Sequence, residues 1–209
     1  MTVTHGYSTL TQVKSVAQVR GAEDDETIEL AINAASRMID AYCGWRFWQD
    51  DTVVARTFEV QDEDELYFAS DPAGDGISTA TGLIVKLDND GDGVFEQTLT
   101  IGTDFILKPF NALARYPAWP YTELVLINSV VFPSLVDDRP GVQVTAKWGF
   151  PAVPDDVTSA CVLLARDLYK EMKSAPFGIA DFGGDGPIRV GAHRTARMLL
   201  DPYRKASVG

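Results

Sequence analysis

Hydrophobic residues recur three and four apart at both ends of the chain and in short β-branched runs through its middle. Thr9 followed by Gln12 has the form of a capping box, and Leu10, Val13 and Ala17 continue at helical spacing, which predicts a short first helix. The acidic run 23–26 sits where carboxylates favour a helix start. Ile28, Ala31, Ile32, Ala35, Ile39 and Tyr42 then line one face of a second helix, and Gly44 is its natural C-terminal cap. Across residues 52–148 the texture changes to runs such as "TVVARTFEV", "GLIVKL", "DFILKP", "ELVLINSVVF" and "VQVTAKW", separated by Gly, Pro and Asp turns.

After "GFPAVP" the helical period returns. Pro154 and Asp155 open a helix with Val157, Cys161, Leu164, Leu168 and Met172 on one face and Val162, Ala165 and Tyr169 on a second, so it is expected to be buried on two sides. Pro176 and Gly178 end it; "DFGGDG" reads as a flexible loop, "IRV" as a short strand and "HRTARMLLDPYRK" as a last short helix. Neither helical end can form a core alone, so the two are expected to pack together across the β block. The predicted fold class is α+β: a small helical bundle built from N- and C-terminal helices, with a long antiparallel β insertion between them. The expected segments are 1–48, 49–150 and 151–209, with Ile32, Ile39, Leu164 and Leu168 in a shared helical core. The rings of "YCGWRFW" (Tyr42, Trp45, Phe47, Trp48) and of "KWGFP" are expected at the seam between the two parts.

Composition narrows the function. With 45% hydrophobic residues in 209, the chain can bury a sizeable core. A net charge of -12 argues against a protein that grips DNA or an anionic membrane, because such binding draws on clustered Lys and Arg. No segment approaches the ~18 apolar residues of a membrane span, and the N-terminus lacks the basic head and apolar run of a signal peptide. Cys43 and Cys161 lack the spacing of a metal knuckle or redox pair and read as buried free thiols.

The stretch "DNDGDGVFE" begins as a calcium loop does, with Asp88, Asp90 and Asp92 at alternating positions before a glycine. Counting Asp88 as the first position, the twelfth is Leu99 instead of the closing glutamate. The flanks are strand-like, so the expectation is a solvent-exposed hairpin tip without a metal. The two histidines, His5 and His193, have no GxSxG elbow near them, and "DFGGDGPIRVG" fits neither a phosphate loop nor a dinucleotide fingerprint. No catalytic residue, cofactor or metal is therefore assigned. Two other classes stay open: a calcium-dependent or host-surface β binding module on Asp88, Asp90 and Asp92, and a small hydrolase on the carboxylates and His193. From residue 187 onward the chain carries Arg189, Arg194, Arg197, Arg204 and Lys205 against the single acid Asp201. A basic end on an acidic body invites contact with an acidic neighbour, and Arg194, Arg197, Tyr203 and Arg204 are the candidate partner-binding residues.

The ordered segments "YSTLTQVK", "AASRMIDAYCGWRF", "VQVTAKWGFPAVPDDVTSACVLLARDLYK", "SAPFGIADFG" and "ARMLLDPYR" resemble the head-to-tail adaptor, or gp6-like head-tail connector, proteins of long-tailed bacteriophages. The resemblance spans nearly the whole chain. It is strongest in the two long helices with their Trp-Gly-Phe-Pro junction and final Tyr-Arg, and weakest in the β insertion, which the smaller, almost wholly helical members lack. It implies a non-enzymatic virion protein of the head-tail junction, held in the host cytoplasm before assembly. Copies would self-associate as a dodecameric ring beneath the portal protein, extend the DNA channel and offer a platform to a stopper or tail-completion protein. Genomic DNA would pass without specific binding, which surplus negative charge suits.

Overall fold

The computed structural model describes residues 2–60, 62–68, 75–133, 140–174, 190 and 193–205. The chain divides into two compact units, Met1–Phe47 with Val153–Gly209, and Trp48–Ala152. The fold is mixed α+β, with helices at both ends of the chain and antiparallel sheets between them.

The first unit holds helices α1 (Leu10–Ala17), α2 (Asp25–Cys43), α3 (Asp155–Ser174) and α4 (Arg194–Leu200), the last running into a 3-10 turn at Asp201–Tyr203. The capping box forms: Gln12 N–H donates to Thr9 Oγ1 at 3.3 Å, and Thr9 N–H donates to Gln12 Oε1 at 2.7 Å. At the start of α2 the Asp24 side chain does not cap its own helix. It accepts instead from the Tyr169 hydroxyl and the Lys173 ammonium, each at 2.8 Å, and so ties α2 to the far end of α3. Gly44 ends α2 at φ +73, the left-handed conformation that glycine adopts without a Cβ penalty. The apolar line from Ile28 to Ile39 is buried, and α2 and α3 pack against each other. Ile32, Ile39 and Leu164 are fully buried, whereas Leu168 is only half-buried. In the last turns of α3 the buried line runs through Ala165 and Tyr169, whose hydroxyl reaches Asp24, and Leu168 is left to one side of it.

The second unit holds seven strands among the described residues: β1 (Val54–Phe58), β2 (Glu65–Tyr67), β3 (Ile77–Leu87), β4 (Gln97–Leu99), β5 (Phe105–Lys108), β6 (Glu123–Leu126) and β7 (Val142–Trp148). They pair antiparallel in two sheets, ordered β1-β7-β3-β4 and β2-β6-β5. On β7 the alternation is strict: Val142, Val144, Ala146 and Trp148 point into a core shared with Leu66, Phe105, Leu124 and Leu126 of the other sheet. The Trp148 ring stands 5.7 Å from Phe58 and 5.5 Å from Phe68, and its indole N–H donates to Val54 O at 2.8 Å. Arg56 lies 4.4 Å over that ring and pairs with the buried Asp75 at 2.9 Å, so its charge is both stacked and neutralised. The next residue, Gly149, sits at φ +102 with Trp48 O only 2.0 Å from where a Cβ would stand, so no larger residue fits there.

The expected loop at 181–186 and strand at 188–190 lie outside the described residues except for Val190, which is buried. Among the described residues no helix is long and apolar enough to cross a membrane.

Candidate functional site

At the C-terminal segment, α4 starts on His193, whose Nδ1 accepts the Ala196 N–H at 3.1 Å while Nε2 stands 3.3 Å from Asp167. The imidazole caps a helix, with both ring nitrogens engaged. Arg194 and Arg197 are exposed on α4, and Arg197 reaches Asp201 one turn on at 3.3 Å. Arg204 is also exposed; its guanidinium lies 5.0 Å over the Tyr42 ring, whose hydroxyl donates to Asp201 at 2.5 Å. That hydroxyl, with the Arg197 guanidinium, holds the Asp201 carboxyl below the usual carboxylate range. The Lys205 N–H donates to Cys43 O at 2.9 Å and its ammonium lies 4.1 Å over Trp45, fastening the end of the chain to the end of α2.

Tyr203, expected beside the arginines at a partner contact, is only 3% exposed. Its ring meets Phe47 edge-on at 5.7 Å, as Tyr7 does from its own side, and its hydroxyl donates to Asp156 at 3.2 Å. Burial, with the charge of Asp156 and this hydrogen bond, pushes the phenol up to about 12. The ring finds its aromatic partner inside its own chain, and the exposed cationic groups are the three arginines.

The thiols are buried too. Burial, with the nearby Asp40 carboxylate, pushes Cys43 up to about 12, and burial raises Cys161, which lies 3.3 Å from Ser8 Oγ and 3.5 Å from Ser36 Oγ. Both therefore stay protonated at neutral pH, the unreactive form.

The loop at 88–96 is more ordered than a bare exposed tip. Asp88 is 1% exposed, and its two oxygens accept from Gly91 N–H at 2.7 Å and Gly93 N–H at 2.9 Å. Asp90 accepts from Asp92 N–H at 3.3 Å and Asp92 from Val94 N–H at 2.7 Å, while Asn89, Asp90 and Asp92 remain exposed. One oxygen each from Asp88, Asp90, Asp92 and Glu96 lies within 4.8 Å of the others. Glu96 was missed by the count to position twelve, because the chain turns back before β4 and returns a carboxylate earlier than a twelve-residue loop does. An all-oxygen, all-anionic set of this kind suits a hard divalent cation such as calcium.

Burial opposes ionisation of Asp88, but the N–H groups of Gly93, Gly91, Asp90 and Asp92 outweigh it and hold its carboxyl below the usual range. A depressed carboxyl contributes stability that is present above its unfolded pKa and lost as pH falls through the folded one. Asp88→Ala is accordingly expected to lower the melting temperature near neutral pH, because two loop N–H groups lose their acceptor. Asp90→Ala with Asp92→Ala should leave it nearly unchanged, with or without chelator. Melts of both variants check this, and a drop of several degrees when chelator is added to the wild type would mean that a cation holds the loop.

No protein-family model matches the chain, and no curated protein matches it. Solved structures share its fold. A chain in the neck of an empty gene transfer agent (GTA) particle, computed with C6 symmetry, superposes with a TM-score of 0.57 at 14% identity, covering 100% of this chain and 95% of that one. A chain in the virion of a native GTA particle superposes with a TM-score of 0.52 at 17% identity, with the same coverage of 100% and 95%. At such identities the likeness is one of fold, and it extends over all of this chain and 95% of each of the others.

Proposed function

We propose that this chain is a structural protein of the neck of a phage-like particle, forming a ring at the portal vertex that joins head to tail and extends the DNA channel. The observation that carries this is the end-to-end likeness of fold to a neck chain, β insertion included. The ordered sequence resemblance to head-tail connectors supports it independently. A dodecameric ring contains six-fold rotations, so the C6 symmetry of that neck is compatible with it. The partners in this reading are the portal protein, a stopper or tail-completion protein and further copies of the chain, in the virion after assembly from the host cytoplasm. Genomic DNA passes a surface whose net charge of -12 does not retain it. The exposed Arg194, Arg197 and Arg204 contribute to docking on the portal or a neighbouring subunit.

Electron microscopy of the purified protein mixed with portal-containing capsids that lack it tests this reading. A new ring of density at the vertex is the expected result, and vertices that stay bare at saturating protein overturn it. A second reading, a calcium-dependent β binding module, draws on the four converging carboxylates. Calorimetry with calcium separates the two: a binding heat that Asp90→Asn removes favours the module, and a flat titration discards it.

A further inference from the structure

Three large apolar side chains stand in solvent on one short loop of the β unit. Between β5 and β6, Phe110 is 64% exposed, Leu113 38% and Tyr116 90%. The loop that carries them is braced. Ala112 is fully buried, its carbonyl accepts from Trp119 N–H at 3.0 Å, and the Trp119 ring meets the buried Phe150 edge-on at 5.0 Å. Thr122 N–H closes the base of the loop on Lys108 O at 2.9 Å. Large apolar groups gathered in water on a braced loop mark a contact surface. No carboxylate occurs between Asp104 and Glu123. Arg115 is exposed within the loop, and Lys108 at its base is taken up by Glu123 at 3.0 Å and Glu65 at 3.7 Å.

The helical unit holds a hollow of matching character. An open groove of about 610 Å³ runs between α1 and α3, lined by Val16, Val162 and Leu163 together with Ser15, Thr158 and Ser159, and none of its lining residues is charged. The exposed Asp155 precedes Thr158 and Ser159 by three and four positions, so it stands on the same side of α3, one turn before them. The cations of the two helices nearest in sequence to the groove are already paired, Lys14 with Asp25 and Arg166 with Asp167.

We propose that within the ring the loop bearing Phe110, Leu113 and Tyr116 seats in the α1–α3 groove of the next copy. This rests on the ring reading above. A ring closes through a contact between two different surfaces, repeated from copy to copy. Loop and groove are two such surfaces, carried by separate units of the chain, and each leaves exposed the apolar groups that the other would cover. Seating also brings the loop's one exposed cation, Arg115, towards the end of α3 where Asp155 stands, which favours a single direction of entry. Phe110 and Tyr116 can bury about 150–250 Å² each. With Leu113 that stays below the ~800 Å² per partner of a standard interface, so the contact suits copies already gathered at the vertex and leaves the isolated chain monomeric.

The test is thiol cross-linking on portal-containing capsids that lack the protein, with a melt first confirming that each variant is folded. Leu113→Cys with Ser159→Cys in one chain, joined by a short bismaleimide, should give a ladder of covalent multimers under denaturing conditions. Each single variant should stay monomeric, since Cys43 and Cys161 are buried and protonated. Phe110→Ala with Tyr116→Ala should keep the wild-type melt, because both rings are exposed, and should cut ring occupancy in electron micrographs by about tenfold or more. A double-cysteine protein that forms the ring but gives no ladder overturns the contact. Dimers from Leu113→Cys alone also overturn it, since the loop would then meet itself, and so does wild-type occupancy in the alanine variant. Lost occupancy in the alanine variant without a ladder assigns the loop to a different protein such as the portal, against the proposal. Vertices left bare by the wild-type protein fail the neck reading, and the contact falls with it.

Discussion

Leu164→Asp is expected to unfold the helical unit. Leu164 is fully buried on α3, which packs against α1, α2 and α4, and Ile32 and Ile39 of α2 are buried as completely. A carboxylate placed there has no cation to meet and must either stay ionised in an apolar setting or take up a proton, at a cost of several kcal/mol either way. Against a total stability of about 5–15 kcal/mol for a domain, that is enough to abolish the native population near physiological temperature. Leu164→Met keeps the volume nearly constant and should cost less than ~1.5 kcal/mol, which separates the introduced charge from the loss of shape. Circular dichroism melts of the two variants decide the matter. A soluble Leu164→Asp protein with an unchanged melting temperature would show that α2 and α3 do not depend on this contact.

The parts legible in the sequence are those governed by local chemistry. The Thr9–Gln12 capping box, the apolar line from Ile28 to Ile39 and the left-handed Gly44 each depend on residues within one or two turns of each other, and each stands where its pattern put it. The antiparallel β block was legible as a class, from β-branched runs and turn residues. Its strand order was not, because pairing β1 with β7 joins segments some ninety residues apart on registers that no local signal encodes. The same limit hid two features of the candidate sites. Asp88 reads as a turn residue, and only the closure of its loop on Gly91 and Gly93 shows that it is buried. Tyr203 sits in a basic, polar segment and reads as surface; its buried ring packs edge-on against Phe47, which is distant in the sequence. The arginines around it remain on the surface because long cationic side chains keep their heads in water while their stems lie on neighbours such as Tyr42.

Ending the chain after Asp201 is expected to damage the helical unit itself, so the docking role proposed for the C-terminal segment has to be probed by charge and not by length. The truncation removes a 3%-exposed tyrosine that closes on Phe47 and Asp156, together with the Lys205 backbone hydrogen bond to Cys43. Loss of a buried aromatic ring costs about 3–5 kcal/mol, so the truncated protein should melt far below the wild type. The triple variant Arg194→Glu, Arg197→Glu and Arg204→Glu leaves that ring in place and gives up only exposed contacts, the Arg197 pair with Asp201 and the Arg204 stack on Tyr42. Exposed pairs contribute little to stability, so its melt should stay close to that of the wild type. Docking should respond in the opposite order of severity. Reversed charge slows encounter with an acidic partner and misdirects its register, so the triple variant should add poorly to portal-containing capsids at low salt, and the deficit should shrink as salt shortens the reach of the charges. A folded triple variant that joins capsids as readily as the wild type at every salt concentration would remove the arginines from the docking surface, and the proposed neck role would then rest on the likeness of fold and the ordered sequence resemblance.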